Sequence, residues 1–125
     1  MMRYLCVMAG GALGSLLRYV AGLAIMSRWG GSFPMGTFVI NVTGSFAIGV
    51  LSTLLAGAVN PLWRPLLIVG VLGGYTTFSS FEWEAFANTR GGAGGLALLY
   101  VLGSVLFGYI ACWLGATAAG LWNRP

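Results

Sequence analysis

The sequence predicts an all-α membrane protein whose subunit crosses the bilayer four times. Of its 125 residues, 58% are hydrophobic and 6% are charged, whereas soluble domains carry roughly 25% charged residues. Four apolar runs reach the about 20 residues that a helix needs to cross a hydrocarbon core, and connectors rich in Gly, Pro and Arg separate them. A single transmembrane domain is therefore expected to occupy residues 1–125.

The predicted spans cover about residues 4–26, 35–59, 62–88 and 96–121. The first span follows a basic start, Met1–Arg3, that resembles a signal peptide. Its apolar run continues past the roughly 15 residues of a signal-peptide core and shows no clear small-residue cleavage site, so we interpret it as a membrane span. Pro34 and Pro61 precede the second and third spans, and a glycine-rich connector precedes the fourth.

The third span contains an unusual segment, Gly73–Phe81, with paired glycines, four Ser and Thr hydroxyls and two phenylalanines. Glycine and threonine weaken a helix, and an unpaired polar group in hydrocarbon costs several kcal/mol. The segment is therefore predicted to break the helix and to line protein or water. Because carbonyl oxygens freed by a break can meet a small ion, it is a candidate ion site.

The distribution of arginine predicts how the chain inserts. Three arginines fall on each predicted side of the membrane if Arg18 is assigned to the nearer end of its span: Arg3, Arg64 and Arg124 on one, and Arg18, Arg28 and Arg90 on the other. The excess of Arg and Lys that normally orients a membrane protein is therefore missing. We expect the chain to insert in both orientations and to pair with its inverted copy. A small bias hidden by the exact span ends is the alternative.

Closely spaced glycines favour association of helices. Gly10 and Gly14 are four residues apart, as are Gly70 and Gly74, and this small-xxx-small spacing lets helix backbones approach closely. Contact within one chain explains these pairs as well as contact between chains does. Together with the balanced arginines, they favour an oligomer.

Some polar and aromatic side chains inside the spans are candidates for a pathway. Asn41 in the second span can donate two hydrogen bonds without carrying charge, although a hydrogen bond between helices is an equal alternative. Phe78 and Phe81 share a face if helix resumes after the break, and their electropositive ring edges can attract a small anion. Tyr100 and Ser104 begin a stripe of polar and small residues along the fourth span. Helix packing is the alternative for both pairs.

The composition offers no visible apparatus for enzyme chemistry. The chain has no His, which is the commonest general base. Its two carboxylates, Glu82 and Glu84, are two residues apart and point in different directions on a helix. Cys6 and Cys112 lie in separate apolar runs without metal-ligand spacing. An enzyme is therefore not expected.

Three motifs resemble the Fluc (CrcB) family of fluoride channels. They are the segments Gly10–Tyr19, Pro34–Gly44 and Gly70–Phe81, which follow the order of the family's first three helices. The resemblance covers essentially the whole chain. It implies an antiparallel dual-topology homodimer of four-helix subunits in the inner (plasma) membrane, with the third helix broken near its middle. It also implies that fluoride is exported passively through two pores.

The resemblance further implies roles for individual residues. The backbone carbonyls of Gly73 and Thr76 from both subunits would hold a central structural sodium ion. Arg18 and Glu84 would belong to a vestibule. The residues implied along the fluoride pathway are Asn41, Phe78, Phe81, Tyr100 and Ser104.

Three positions differ from the family pattern, and one of them is Cys112, which lies where a hydroxyl could continue the polar stripe of the fourth span. Glu82 lies where a small or polar residue is more usual, so its charge is expected to slow anion entry near the pore mouth. Ser80 replaces a frequent Thr and keeps the hydroxyl.

A small four-helix multidrug transporter is the main alternative, but it needs a carboxylate deep in a span, usually the first, whereas both glutamates lie late in the third. A non-transporting assembly subunit is the second alternative.

Overall fold

A computed structural model describes residues 1–122, and all regular structure in that part of the chain is helical. In chain order the elements are α1 (Met2–Trp29), α2 (Met35–Leu54), a π-helical segment π1 (Arg64–Leu72), α3 (Gly73–Tyr75), α4 (Phe78–Arg90) and α5 (Gly94–Trp122). Arg124, which the count of arginines on each membrane side includes, lies outside the described residues.

Three of the helices, α1, α2 and α5, are long and apolar enough to cross a bilayer. They have 28, 20 and 29 residues, and their most apolar windows have mean hydropathies of 1.4, 1.6 and 2.0. Large apolar side chains are exposed along them, among them Leu16, Phe46 and Val105. Apolar surface of this extent is typical of contact with lipid or another subunit. The chain is therefore an all-helical, multi-pass membrane protein.

Between α2 and α5 the chain forms three shorter helical segments. The segment π1 leads directly into α3, and α4 begins only after two residues in extended conformation. These residues are Thr76, with φ −80° and ψ 158°, and Thr77, with φ −149° and ψ 124°. Helical structure in this part of the chain therefore runs from Arg64 to Tyr75 and again from Phe78 to Arg90.

The end of α2 differs from the predicted span, because the chain turns after Leu54 instead of continuing to about residue 59. Leu55 N still donates to Leu51 O at 2.9 Å, but Ala56 N donates to Thr53 O, so the last turn tightens. Farther on, Asn60 Oδ1 accepts from Leu62 N at 2.9 Å. This Asx turn leads the chain toward π1.

Glycines let α1 contact π1 and α3 through backbone atoms. A Cβ on Gly70 would lie 2.8 Å from Gly10 Cα, and one on Gly74 would lie 2.6 Å from Gly11 O. A Cβ on Gly14 would lie 2.9 Å from Tyr75 N. Both small-xxx-small pairs are thus used within one chain, so they give no support to an oligomer.

Replacing Gly10 with alanine is expected to destabilise the subunit. The new Cβ would overlap Leu66 O and lie 3.0 Å from Gly70 Cα, and overpacking against backbone costs about 1–3 kcal/mol. Gly11→Ala is the matched control, because a Cβ there meets nothing within 4 Å. Thermal unfolding of the protein in detergent should show a lower midpoint for Gly10→Ala alone. Equal midpoints would contradict this packing.

A cluster of buried aromatic side chains lies where α4 packs on α5. Tyr100 of α5 is 0% exposed and Phe81 of α4 is 6% exposed. The centroid of the Tyr100 ring lies 5.1 Å from that of Phe81 and 5.4 Å from that of Phe33, which precedes α2. This aromatic cluster fixes α4 against α5 and thereby positions the side chains that α4 presents to the rest of the bundle.

Candidate functional site

Thr76 and Thr77 form the interruption between α3 and α4. Thr76 ends α3, since both its backbone N and its Oγ1 donate to Leu72 O at 2.9 Å. Thr77 is the N-cap of α4, since its Oγ1 accepts from Ser80 N at 3.3 Å. The paired threonines therefore end one helix and start the next.

Asn41 of α2 pairs with both polar groups of Thr77. Its Nδ2 donates to Thr77 O at 2.9 Å, and its Oδ1 accepts from Thr77 N at 2.9 Å. A residue pair in an antiparallel sheet exchanges two bonds in the same way. The hydrogen bond between helices, which the sequence left as an alternative, is thus present. A role for Asn41 in the pathway stays a prediction, and it would use the second N–H of Nδ2.

The carbonyls of Gly73 and Thr76 are among those that lose their helical donors at the interruption. In a continuous α-helix each carbonyl accepts from the amide four residues later. In a continuous helix Thr77 N would donate to Gly73 O, but here it donates to Asn41 Oδ1. Likewise, Ser80 N would donate to Thr76 O, but here it donates to Thr77 Oγ1. The interruption thus releases both carbonyls from the helical ladder.

Arg18 of α1 donates from Nη1 to Thr76 O at 3.2 Å. Carbonyl oxygens are neutral, hard ligands, and each has two lone pairs, so Thr76 O can accept from Arg18 and still contact a cation. Gly73 and Thr76 also line one cavity of about 320 Å³. The donor chemistry therefore fits sodium, although the guanidinium charge beside Thr76 O opposes a second cation there.

A larger cavity, of about 740 Å³, opens beside the interruption and is called the Arg18–Glu84 cavity below. Arg18 and Glu84, the two residues predicted for a vestibule, both line it, as do Thr77 and Ser80. Because the space joins a guanidinium, a carboxylate and hydroxyl groups, it can hold a hydrated ion and exchange part of its water for protein groups.

Each oxygen of the Glu84 carboxylate accepts one hydrogen bond from a hydroxyl group. Thr37 Oγ1 donates to Oε1 at 2.8 Å, and the Tyr100 hydroxyl donates to Oε2 at 2.7 Å. Bonds to a charged acceptor are stronger than neutral ones. Thr37 was not among the site residues predicted from the sequence. The available signal was its position four residues before Asn41, which places both on one face of α2.

The two phenylalanines lie close together in different surroundings. Their ring centroids are 5.8 Å apart. Phe81 is buried against Tyr100, as the packing alternative proposes, whereas Phe78 is 74% exposed and lines the 320 Å³ cavity with Asn41 and Gly73. The Phe78 ring is therefore accessible to an ion. Only the small part of the Phe81 ring that is not buried in the core is accessible.

Ser104 and Glu82 complete the set of predicted residues. Ser104 Oγ is buried and has no hydrogen-bond partner among residues 1–122. An unpaired buried hydroxyl is costly, so this atom is open to a further partner. Glu82 is exposed and lines a separate cavity of about 410 Å³ with Phe86 and Thr89. Glu82 is therefore not part of the lining of the Arg18–Glu84 cavity.

Most of the chain is similar in sequence to proteins of one known family. Residues 5–116 match the family model described as "CrcB-like protein, Camphor Resistance (CrcB)". The chain is 55% identical over 120 residues to a protein of Solibacter usitatus named fluoride-specific ion channel FluC, with 94% of this chain and 98% of the relative covered. It is 48% identical over 121 residues to a protein of the same name from Thermus thermophilus, covering 96% and 97% of the two chains.

Proposed function

The chain belongs to the CrcB family, and from that premise we propose that it is a fluoride-specific ion channel which exports fluoride passively across the inner (plasma) membrane. The proposal rests on the interruption at Thr76 and Thr77, which brings polar groups and the exposed ring of Phe78 together in an otherwise apolar helical chain. Hydrocarbon tolerates such backbone only where it is buried in protein or lines a water-filled space.

Fluoride is small and strongly hydrated, so a narrow pore must replace its water with many hydrogen-bond donors. Donors are available at the Arg18 guanidinium, at the second N–H of Asn41, and at the hydroxyls of Ser80, which accepts from Thr77 Oγ1, and Ser104. Ring edges of Phe78 and Phe81 would add weaker electropositive contacts. Apart from Arg18, these groups carry no charge that would trap the ion.

We propose that the working unit is an antiparallel homodimer of four-span subunits. In this proposal π1, α3 and α4 together form a third, broken span between α2 and α5. The support is the open cavity that Gly73, Thr76 and Phe78 line, because a site at the surface of one subunit is completed by a second copy. Equal numbers of arginines on the two predicted membrane sides support opposite orientations of the two copies.

A central sodium ion is proposed on the carbonyls of Gly73 and Thr76. Two copies would supply four neutral oxygens around one cation. The ion would supply positive charge that links the interruptions of the two subunits and favours anions nearby. Residues of this chain hold the carbonyls in place, and no step of fluoride movement requires the ion to move.

Efflux of fluoride from proteoliposomes tests the proposed function. Vesicles loaded with potassium fluoride and containing the purified dimer should release fluoride to an external electrode when valinomycin allows potassium to follow. Release should not need a proton gradient, whereas a proton-coupled transporter would need one. Release no faster than from empty vesicles, with the protein correctly folded, would refute the channel. Release that depends on a proton gradient would favour the transporter.

Labelling of a single cysteine tests dual topology. In a chain with Cys6→Ala and Cys112→Ala, Ala93→Cys places a thiol in the connector between α4 and α5. A membrane-impermeant maleimide should label about half of the protein from outside intact cells, and the rest only after lysis. Labelling from one side alone would rule out insertion in both orientations.

A further inference from the structure

We infer that the side-chain oxygens of Asn41 and Thr77 act as substitute acceptors that keep the carbonyls of Gly73 and Thr76 available to a cation. The inference rests on the sodium site of the proposed function and assigns two positioning residues to it. Thr77 lies in the segment Gly73–Phe81, but the sequence assigned it no role of its own. For Asn41, the inference concerns Oδ1, whereas the predicted role in the fluoride pathway would use the Nδ2–H group.

The interruption diverts two backbone amides, those of Thr77 and Ser80, from their helical acceptors. A backbone N–H away from water must find an acceptor, and in a helix the nearest one is the carbonyl four residues earlier. Thr77 N has Asn41 Oδ1 at 2.9 Å, and Ser80 N has Thr77 Oγ1 at 3.3 Å. Each side-chain oxygen thus takes the place of one helical carbonyl. If either oxygen is removed, its amide is expected to return to that carbonyl.

The packing of α2 brings Asn41 within reach of the interruption. Gly44, three residues after Asn41, has no room for a side chain, because a Cβ would overlap Thr76 Cγ2 and lie 3.3 Å from Tyr75 Cδ1. The backbone of α2 therefore rests directly on α3 and on the start of the interruption. Asn41, Gly73, Thr76 and Thr77 also line the same cavity of about 320 Å³. The substitute acceptors and the carbonyls that they release are thus parts of one site.

The two substitutions Thr77→Val and Thr77→Ser separate the acceptor from the shape of the side chain. Valine matches threonine in shape but lacks the oxygen, whereas serine keeps it. For each purified dimer, the thermal unfolding midpoint is measured as sodium chloride replaces N-methylglucamine chloride at constant ionic strength. Thr77→Val should raise the sodium concentration for half-maximal stabilisation about fivefold, the effect expected from losing a helix cap. Thr77→Ser should keep the value of the unchanged protein.

Thr117→Val is the matched control, because its hydroxyl donates to Trp113 O within α5 and lies outside the site. A general loss of stability would lower every midpoint without changing the sodium concentration for half-maximal stabilisation. Equal sodium dependence of Thr77→Val and Thr77→Ser would overturn the inference. If the unchanged dimer itself shows no sodium-dependent stabilisation, the sodium site of the proposed function fails, while fluoride efflux is judged separately.

A second pair keeps the inference testable if Thr77→Val does not fold. Asn41→Leu removes both the acceptor for Thr77 N and the donor to Thr77 O, whereas Asn41→Asp removes the donor but keeps an oxygen in the place of Oδ1. Asn41→Leu should raise the sodium requirement in the same direction as Thr77→Val, and Asn41→Asp should not. Because the readout is sodium-dependent stability, loss of fluoride efflux in either variant does not affect the result. A sodium requirement that is unchanged in Asn41→Leu would contradict the inference.

Discussion

Phe78→Ile is expected to lower fluoride efflux from proteoliposomes about tenfold while the subunit remains stable. A pair of aromatic rings contributes ~0.5–1.5 kcal/mol beyond its burial, and a contact of the same size between an anion and the ring edge, about 1.4 kcal/mol, corresponds to a factor of about ten. Isoleucine keeps much of the apolar volume but has no electropositive edge. Phe78 is 74% exposed, so few contacts within the subunit depend on it.

Phe86→Ile is the matched control, since Phe86 is also on α4, is 51% exposed and lines the separate cavity of Glu82. Its efflux should equal that of the unchanged protein. Phe81→Ile should also lower efflux, but it additionally removes a ring that packs 5.1 Å from Tyr100 and should lower the unfolding midpoint. Normal efflux in Phe78→Ile would assign Phe78 to contact with lipid or with the other subunit.

Removing both hydroxyls that hold Glu84 is expected to have the second large effect. Tyr100→Phe and Thr37→Val each remove one hydrogen bond to the carboxylate, and a bond to a charged group contributes about 1.5–3 kcal/mol. The double variant should lose more stability than either single one, because it leaves the carboxylate without either hydroxyl. Thermal unfolding of all three variants in detergent, together with their efflux, measures this.

The control for this pair is Tyr109→Phe, which makes the same chemical change at a tyrosine of α5 that is 74% exposed. Its unfolding midpoint and efflux should be unchanged. Glu84→Gln in the background of the double variant should restore part of the stability, because an amide is cheaper to bury than a carboxylate. A double variant as stable as the unchanged protein would mean that water replaces both hydroxyls.

The sequence predicts the membrane class well because composition and the length of apolar runs follow directly from the solvent. It also selects the segment around Thr76 and Thr77, since glycine and threonine in an apolar run conflict with a regular helix. The end of α2 is less accessible, because the residues from Leu55 to Val59 are apolar enough to continue a span. A turn there depends on local hydrogen bonds that hydropathy does not report.

The site itself is predictable only in part. Asn41 and Glu84 stand out as polar groups in or near apolar runs, but their partners, the peptide of Thr77 and the hydroxyls of Thr37 and Tyr100, depend on how helices pack. The two glycine pairs illustrate the same limit. Their spacing is equally suited to contact within and between chains, and only the packing of α1 on π1 and α3 decides between them.

The attachment of the interruption to the bundle bears on how fast ions can pass. Asn41 ties it to α2, Arg18 ties it to α1, and Glu84 in α4 is tied to α5 through Tyr100. A segment anchored from so many directions has little freedom to swing between alternative conformations. We therefore expect no slow opening step to precede each passage. Single-channel records should then show long, steady currents, with a temperature dependence close to that of diffusion in water.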